Sequence, residues 1–437
     1  MSQNFLAKGM RGFPEWLPAA KRIERDVFAT IAEVYESYGY TPLETGAFEK
    51  VSTLATTGDV SKEIFGIHRL ADPEASVKKQ EFGLHFDLTL PFARYTAENA
   101  GALQFPFKRY QMQKVWRGEK AQAGRYREFY QADIDIVGDG DLPLHYEAEV
   151  VDVIYTIFTK LNVGDFTIRI NNRKLLEGVY TQAGIDDMNA TLIAVDKIDK
   201  IGVEKVQELL RTNGLSQEQA EVCTDLASKK FTVAESFAFL DSLEATSDML
   251  IQAKEELTSI FKNLSHLPDG AVIFDLSIAR GLDYYTGSVY ECTLSGLEKY
   301  GSVCSGGRYD DLTKKFSKRS LPGVGLSIGI SRLLYILFDE GRLKLEAATP
   351  TEAVVILFDE EQRPNANKIA RDLRDSGIKV EVSPAVKKIG KQFQFAEKRG
   401  AKFVVIPEAN GDVQMKNLEL GEQSALDIAV MKSALAK

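Results

Sequence analysis

"KRYQMQKVWRGEKAQAGRYREFYQADID", residues 108–135, decides how this chain is read. In an extended strand, successive side chains point to opposite faces. Over 108–117, Arg109, Gln111, Gln113, Val115 and Arg117 then share one face. Over 124–135, Arg125, Arg127, Phe129, Gln131, Asp133 and Asp135 share one face, while Tyr126, Tyr130, Ala132 and Ile134 share the other. The loop between them, "GEKAQAG" (118–124), is short and has a glycine at each end. The spacing predicts an antiparallel hairpin whose loop can close over something. A solvated antiparallel sheet explains alternation alone. It explains less well the grading along the face, from arginines near the loop to glutamine and then to carboxylates. A ligand with an anionic end and a cationic or hydrogen-bonding end would lie along such a gradient.

A second stretch, "LHFDLTLP" (84–91), also alternates. Read as a strand, it puts Leu84, Phe86, Leu88 and Leu90 on an apolar face and His85, Asp87 and Thr89 on a polar one. A third, "RGLDYYTG" (280–287), packs Arg280, Asp283, Tyr284 and Tyr285 between two glycines. A decorated turn and a set of groups converging on a small polar ligand both fit it. In "GVGLSIGISRLL" (323–334), Arg332 falls in the first turn of a predicted helix. A cation there opposes the helix dipole, unless an anion such as phosphate shares the site.

The remainder of the chain supplies context. Helical spacing of Ile23, Val27, Ile31 and Val34 predicts a helix over 19–38 that stops at Gly39. Residues 80–138 are strand territory. Residues 173–267 turn charged and helical in rhythm, and strands return over 271–306. Residues 341–351 read as a linker. Beyond it, strand 353–358, helix 363–375, strand 378–382, helix 390–399 and strand 402–407 make a small α/β domain.

The bulk composition excludes several classes. The chain has 437 residues, enough for two to four domains. No run of about eighteen uncharged apolar residues occurs, so no membrane-spanning helix is expected. The first residues carry no apolar core of signal-peptide length. Three cysteines and four histidines, all scattered, argue against a disulfide framework or a structural zinc site and suggest a reducing, cytoplasmic setting. A net charge of −9 argues against an indiscriminate nucleic-acid coat. It leaves room for a local basic face at Lys387–Arg399, with five basic residues and one acid, which is otherwise a solvated helix face. The glycines at 323, 325 and 329 do not have G-x-G-x-x-G spacing and lack a surrounding βαβ unit, so a dinucleotide fold is not indicated. No G-x-x-x-x-G-K-[ST] stretch occurs.

Taken together, these stretches resemble the histidyl-tRNA synthetase family, a class II group, over essentially the whole chain. "RGFPEWLP" resembles the family's N-terminal signature, "LHFDLTLPFARY" its amino-acid-binding strand, and "VWRGEKAQAGRYREFYQADIDIVG" class II motif 2. "IARGLDYYTGSVYE" and "VCSGGRYDDL" resemble the signatures peculiar to this family, "GVGLSIGISR" resembles motif 3, and "KQFQFAEKRGAKFVVI" the anticodon-binding domain. The resemblance implies an α+β fold, with an antiparallel catalytic sheet flanked by helices (1–172 and 268–341), a helical insertion domain (173–267) and a C-terminal α/β anticodon-binding domain (352–437). It also implies a homodimer, L-histidine, ATP with Mg2+, and histidine tRNA held at its acceptor end and anticodon.

Matched by motif, Arg280 and Arg117 would meet the histidine carboxylate and the α-phosphate. Asp87, Thr89 and Gln131 would hold the α-amino group, and Tyr285, with Tyr284 alongside, one imidazole nitrogen. Asp135 would accept the proton on the other nitrogen. Arg125 would meet the outer phosphates, Phe129 and Arg332 would sandwich the adenine, and Glu119 would read its amino edge. Arg280, Arg117 and Gln131 would be the catalytic set. The chain departs from the pattern at Gly46, where motif 1 has proline, and at Ser331, where motif 3 has glutamate. A rival reading is a non-catalytic relative that senses histidine or tRNA. The C-terminal domain and the presence of Arg117, Arg125, Arg280 and Arg332 weigh against it.

Overall fold

The computed structural model describes residues 9–55, 60–74, 79, 81–279, 284–345 and 348–436. Arg280 therefore lies outside the described residues. The chain forms two compact units, one of Met1–Pro14 with Val27–Arg342 and the other of Glu15–Asp26 with Leu343–Lys437.

The first unit is built on a nine-stranded sheet. In chain order its strands are β1 (Thr41–Pro42), β5 (Phe107–Trp116), β6 (Glu128–Val137), β7 (Phe166–Asn172), β8 (Lys230–Thr232), β9 (Val272–Asp275), β10 (Ser288–Leu294), β11 (Cys304–Tyr309) and β12 (Gly323–Gly329). Across the sheet the order is β1-β5-β6-β12-β11-β10-β7-β9-β8. The pairs β1/β5 and β7/β9 are parallel and the rest antiparallel. A small sheet orders β2 (Phe48–Lys50), β4 (Phe82–Leu84) and β3 (Gly66–Ile67) beside it. Residues 173–267 hold seven helices and the edge strand β8, which pairs with β9 and so joins that segment to the main sheet.

The hairpin expected at 108–135 is β5 paired with β6, and Arg109 stands opposite Asp135 in register. The second strand starts later than its pattern suggested. Residues 124–127 are loop, with an isolated bridge between Gln122 and Arg125. The N-terminal glycine signature explains the start: the Gly12 carbonyl accepts the amides of Arg127 and Glu128, at 2.7 and 3.1 Å. Gly12 has φ +90, a conformation that favours glycine.

The strand expected over 84–91 is not one. Extended structure ends at Leu84, and the helix Thr89–Asn99 begins five residues later. The Asp87 carboxylate accepts the Leu90 amide at 3.2 Å, which caps the first turn instead of leaving that amide to a ladder. Pro91 has no N–H to give a sheet and is tolerated in a first helical turn. As a result, His85, Asp87 and Thr89 do not share a face. The buried His85 imidazole meets the Lys114 carbonyl at 2.7 Å and lies 5.4 Å from the Trp116 ring.

On the polar face of the β5/β6 hairpin, far from its loop, lies a buried ion pair. Arg109 and Asp135 meet at 2.6 Å with 0% and 3% of their side chains exposed. The Tyr309 hydroxyl donates to the other Asp135 oxygen at 2.6 Å. Phe92, on the helix Thr89–Asn99, covers the Arg109 guanidinium at 4.3 Å from its ring centre.

The second unit has the sheet order β14 (Val380–Val382), β13 (Ala353–Val355), β15 (Phe403–Pro407), β16 (Val413–Asn417), β17 (Gln423–Ala425). Alternation divides its core in two. Val355, Phe403 and Val405 pack with the helices Arg363–Asp375 and Ile428–Leu435, while Val354 and Val404 pack with Ala396 of the helix Ile389–Arg399. Both faces being covered explains the near-continuous apolar runs of its central strands.

Breaking the buried ion pair from one side should be costly. Arg109→Met leaves Asp135 buried and unpaired, and it should lower stability by about 3–5 kcal/mol. The loss should appear as a lower urea midpoint at unchanged m-value. Adding Asp135→Asn, which removes the orphaned charge, should restore at least half of it.

Candidate active site

Direct register across the sheet defines the site. Residues opposite each other on paired strands share a face. One row reads Gln113, Gln131, Gly329 from β5 to β12. The next reads Gln111, Asp133, Ser327, Ser305, Glu291, Arg169 from β5 to β7. A third reads Arg109, Asp135, Gly325, Gly307. Over these rows lie two cavities that share Arg117, Gln131, Ser305 and Ser327.

The larger cavity, about 250 Å³, is walled by Arg117, Glu119, Arg125, Phe129, Gln131 and Arg332, with Ser302–Ser305 across from them. Arg332 is held by the carbonyls of Ser302, at 2.7 Å, and Gly124, at 3.4 Å. Burial, then Arg125, then Arg117 push its guanidinium below its ordinary range. Among the described residues, Glu119 is the one acid lining this cavity. Cations that repel one another in a part-buried cleft make a receptor for a polyanion. The Arg117 Nε donates to the Phe86 carbonyl at 3.0 Å, and its guanidinium lies 5.1 Å from the Phe129 ring centre. Phe129 is therefore faced by Arg117 as well as sharing the cavity with Arg332. Ser331, where motif 3 has an acid, is buried and accepts the Tyr130 amide at 2.9 Å. It ties the helix Ile330–Asp339 to β6.

The smaller cavity, about 180 Å³, is lined by Asp87, Thr89, Arg117, Gln131, Tyr284 and Tyr285, with Asp133, Glu291, Ser305 and Ser327 on the sheet side. Tyr284 donates to Asp87 at 3.0 Å. Burial raises the Asp87 carboxyl, against the opposing pull of the Leu90 amide and Tyr284. Both tyrosines pack beside Leu54, Phe86, Leu90 and Tyr309. Gly307 makes room for one of them, since a Cβ there would lie 2.8 Å from the Tyr285 ring. Among the described residues, no group of three or more His, Cys, Asp or Glu is placed to hold a metal ion.

Ten of the twelve expected site residues thus line one cavity or both. Arg280 lies outside the described residues. Asp135 lines neither cavity, because both of its oxygens are taken by Arg109 and Tyr309. Asp133, Ser305 and Ser327 carried no role in the sequence reading. The signal for Asp133 was its place on the same face as Gln131. For Ser305 and Ser327 it appears only once β11 and β12 are in register.

Burial pushes the Asp133 carboxyl up from 3.8 to about 7, with Arg109 opposing and Asp135 reinforcing the shift. The native state therefore holds a proton that the unfolded chain releases near pH 4. The stability this group supplies is present below about pH 4 and is lost as the pH rises to about 7. The unfolding free energy of the wild type minus that of Asp133→Asn should fall over that window by a few kcal/mol. Urea titrations of both proteins at several pH values measure it, and a flat difference would contradict it.

The chain was compared with known proteins. The histidyl-tRNA synthetase family model matches residues 12–333, and an anticodon binding domain model matches 352–437. The histidine–tRNA ligase of Thermobifida fusca (strain YX) is 43% identical over 421 residues, which span 96% of this chain and 96% of that one. The crystal structure of histidyl-tRNA synthetase from Nostoc sp. PCC 7120 superposes with a TM-score of 0.89 at 37% identity, over 98% of this chain and 99% of its own. An ATP phosphoribosyltransferase regulatory subunit/histidyl-tRNA synthetase from Bacillus halodurans C gives 0.73 at 21% identity, over 92% and 98%, a likeness of fold alone. Matched over most of its length by the family model and across both units by full-length relatives, the chain belongs to the histidyl-tRNA synthetase family.

Proposed function

We propose that this chain is a histidine–tRNA ligase. It joins L-histidine to ATP, releasing pyrophosphate, and transfers the histidyl group from the adenylate to the 3′ end of histidine tRNA, releasing AMP. The observation that carries the reading is the pair of joined cavities, one ringed by arginines and one by carboxylates and tyrosines, with Arg117 in both.

In this reading ATP takes the larger cavity. Arg125 meets the outer phosphates, Phe129 and Arg332 hold the adenine by stacking and cation–π attraction, and Glu119 reads its amino edge. Histidine takes the smaller cavity, with its α-ammonium at Asp87, Thr89 and Gln131 and its ring toward Tyr284 and Tyr285. Arg117 then stands where the carboxylate oxygen attacks the α-phosphorus. A fixed guanidinium there stabilises the charge that builds on the phosphoryl oxygens. By the motif resemblance, Arg280 would share that task. Magnesium would ride on the nucleotide's phosphates, as it does where a site offers few carboxylates; the donors lining the larger cavity fit that, with Glu119 the one acid among the described residues there. An amino acid with no ring nitrogen would leave buried polar groups unpaired, which is how such a site rejects it.

The anticodon-binding unit would hold the far end of the tRNA. In support, Lys387, Lys388, Lys391 and Lys398 are exposed along the helix Ile389–Arg399 and its approach. Arg399 is less free, being 3.3 Å from Glu381. A homodimer is supported by the exposed Phe48 and Phe82 on the small sheet that follows the motif 1 segment. Cytoplasmic work is supported by three buried, unpaired cysteines. Among the described residues no helix is long and apolar enough to cross a membrane. No observation favours a silent sensor.

Histidine-dependent ATP–pyrophosphate exchange tests the reading. Wild type should exchange with histidine and not with other amino acids. Arg117→Ala should lose roughly 10²-fold or more in kcat/KM. Exchange that ignores histidine, or survives in Arg117→Ala, would sink the assignment. Separately, Lys387→Glu with Lys391→Glu should weaken tRNA binding and flatten the slope of log affinity against log salt by about two. An unchanged slope would move the RNA contact elsewhere.

A further inference from the structure

Residues 171–174, "NNRK", end β7 and open the helix Arg173–Gln182. Asparagine suits that junction, because its side-chain oxygen can satisfy an amide of the first turn. The Asn172 Oδ1 does so, accepting the Lys174 amide at 2.9 Å. Its Nδ2 donates to Glu256 at 2.7 Å, and Glu256 also pairs with the Lys174 ammonium. Glu256 is on the helix Asp248–Leu264, 84 residues further along the chain, and is 7% exposed. A carboxylate that deep in the fold is kept where its partners are fixed. The first and last helices of residues 173–267 are thus tied to one asparagine.

The neighbours of that asparagine hold the backbone behind the tyrosines of the smaller cavity. Asn171 donates its side-chain amide to the Ile278 carbonyl at 2.8 Å, and its side-chain oxygen accepts the Asn172 amide at 2.8 Å. Arg173 donates its backbone amide to the Gly287 carbonyl at 2.9 Å and its guanidinium to the Tyr285 carbonyl at 3.4 Å. Glu177, one turn on, orients that guanidinium at 2.6 Å. Gly287 is enclosed on two sides: a Cβ there would lie 3.1 Å from the Arg308 side chain and 3.6 Å from the Glu256 carboxylate. Glu256 itself lines neither cavity. Tyr285 therefore presents its ring to the cavity while its carbonyl is fastened to Arg173. With its ring packed against Gly307, it has little slack to absorb a shift of its own backbone.

We infer that Glu256 is a positioning residue for the tyrosine wall of the smaller cavity, acting through Asn172 and Arg173 on the backbone of Tyr285 and Gly287. Its carboxylate holds the Asn172 amide in the one orientation that caps the helix. The cap sets where Arg173 begins, and Arg173 sets the two carbonyls. This rests on the reading that the smaller cavity takes histidine. It makes histidine binding depend on a helix that touches no ligand.

The test is histidine-dependent ATP–pyrophosphate exchange by the full chain, with histidine and ATP varied in turn. Wild type, Glu256→Ala, Glu256→Gln, Arg173→Met and Thr224→Val are compared, each checked for folding by thermal melting. Glu256→Ala should raise the histidine KM by about tenfold or more and the ATP KM by less than about threefold. Glu256→Gln keeps an uncharged acceptor for Asn172 and should stay within about threefold of wild type. Arg173→Met removes the side-chain bond to the Tyr285 carbonyl at a half-buried position. It should raise the histidine KM about threefold or more, and it serves alone if Glu256→Ala is unfolded. Thr224, whose hydroxyl accepts from Gln207 at 2.9 Å elsewhere in 173–267, is the control. Its valine variant loosens that segment and should keep the histidine KM within about twofold. An unchanged histidine KM in Glu256→Ala and Arg173→Met overturns the assignment. An equal rise in the ATP KM, or in Thr224→Val, overturns it as well, by making the effect one of general loosening. Glu256→Gln as impaired as Glu256→Ala does the same, since charge and not position would then be the cause. A wild type whose exchange ignores histidine removes the ligase reading and this inference with it. Where wild type does depend on histidine, failure of the variants falls on Glu256 alone.

Discussion

The constraint on which this structure depends is the burial of charge on the main sheet, one row beyond the floor of the cavities and on the same face. Arg109 and Asp135 are almost wholly removed from water and hold each other at 2.6 Å. Removing two charges from water costs several kcal/mol each, which the pair's attraction offsets only with good geometry and further hydrogen bonds. Tyr309 supplies one, and the Leu88 carbonyl accepts another from Arg109 at 3.2 Å. The Phe92 ring closes the other side. Because Tyr309 is on β11, Asp135 on β6 and Arg109 on β5, the group braces three strands at the depth where the cavity ends.

Glycines in the same row make that bracing possible. Gly325 and Gly307 lie beside Asp135 across β12 and β11. A Cβ at Gly325 would strike the Asp135 carboxylate, and one at Gly307 the Tyr285 ring. Here glycine is required by close approach and not by backbone angle, since neither has positive φ. Removing two side chains from one row lets an acid lie flat on one side and an aromatic wall stand on the other. The next row, one step toward the hairpin loop, keeps its polar side chains and becomes the pocket floor.

The two cavities divide the electrostatic work. Arg117, Arg125 and Arg332 repel one another in a partly desolvated cleft, an arrangement that becomes favourable with a phosphate chain among them. The neighbouring cavity holds an excess of carboxylates and suits an ammonium and a ring donor. Arg117 stands at the boundary, fixed by the Phe86 carbonyl, and in the proposed reading it meets both the ligand carboxylate and a nucleotide phosphate.

Much of this was legible in the sequence. Alternation over 108–135 marked the hairpin and its polar face. The change to helical rhythm after residue 173 and the α/β alternation after 352 marked the other segments, and the short motifs supplied the chemistry of most site residues. These features are local, set by strand and helix periods and by the turn residues between them. The 84–91 segment misled because apolar alternation is indifferent to what happens at Pro91 and to the Asp87 cap. The difference between Asp133 and Asp135 was also invisible. Both sit on one face of one strand, two residues apart, and the period of two treats them alike. Only pairing with other strands decides which is neutralised by Arg109 and Tyr309 and which lines the smaller cavity, because those partners come from positions 26 residues before and 174 residues after Asp135 in the chain.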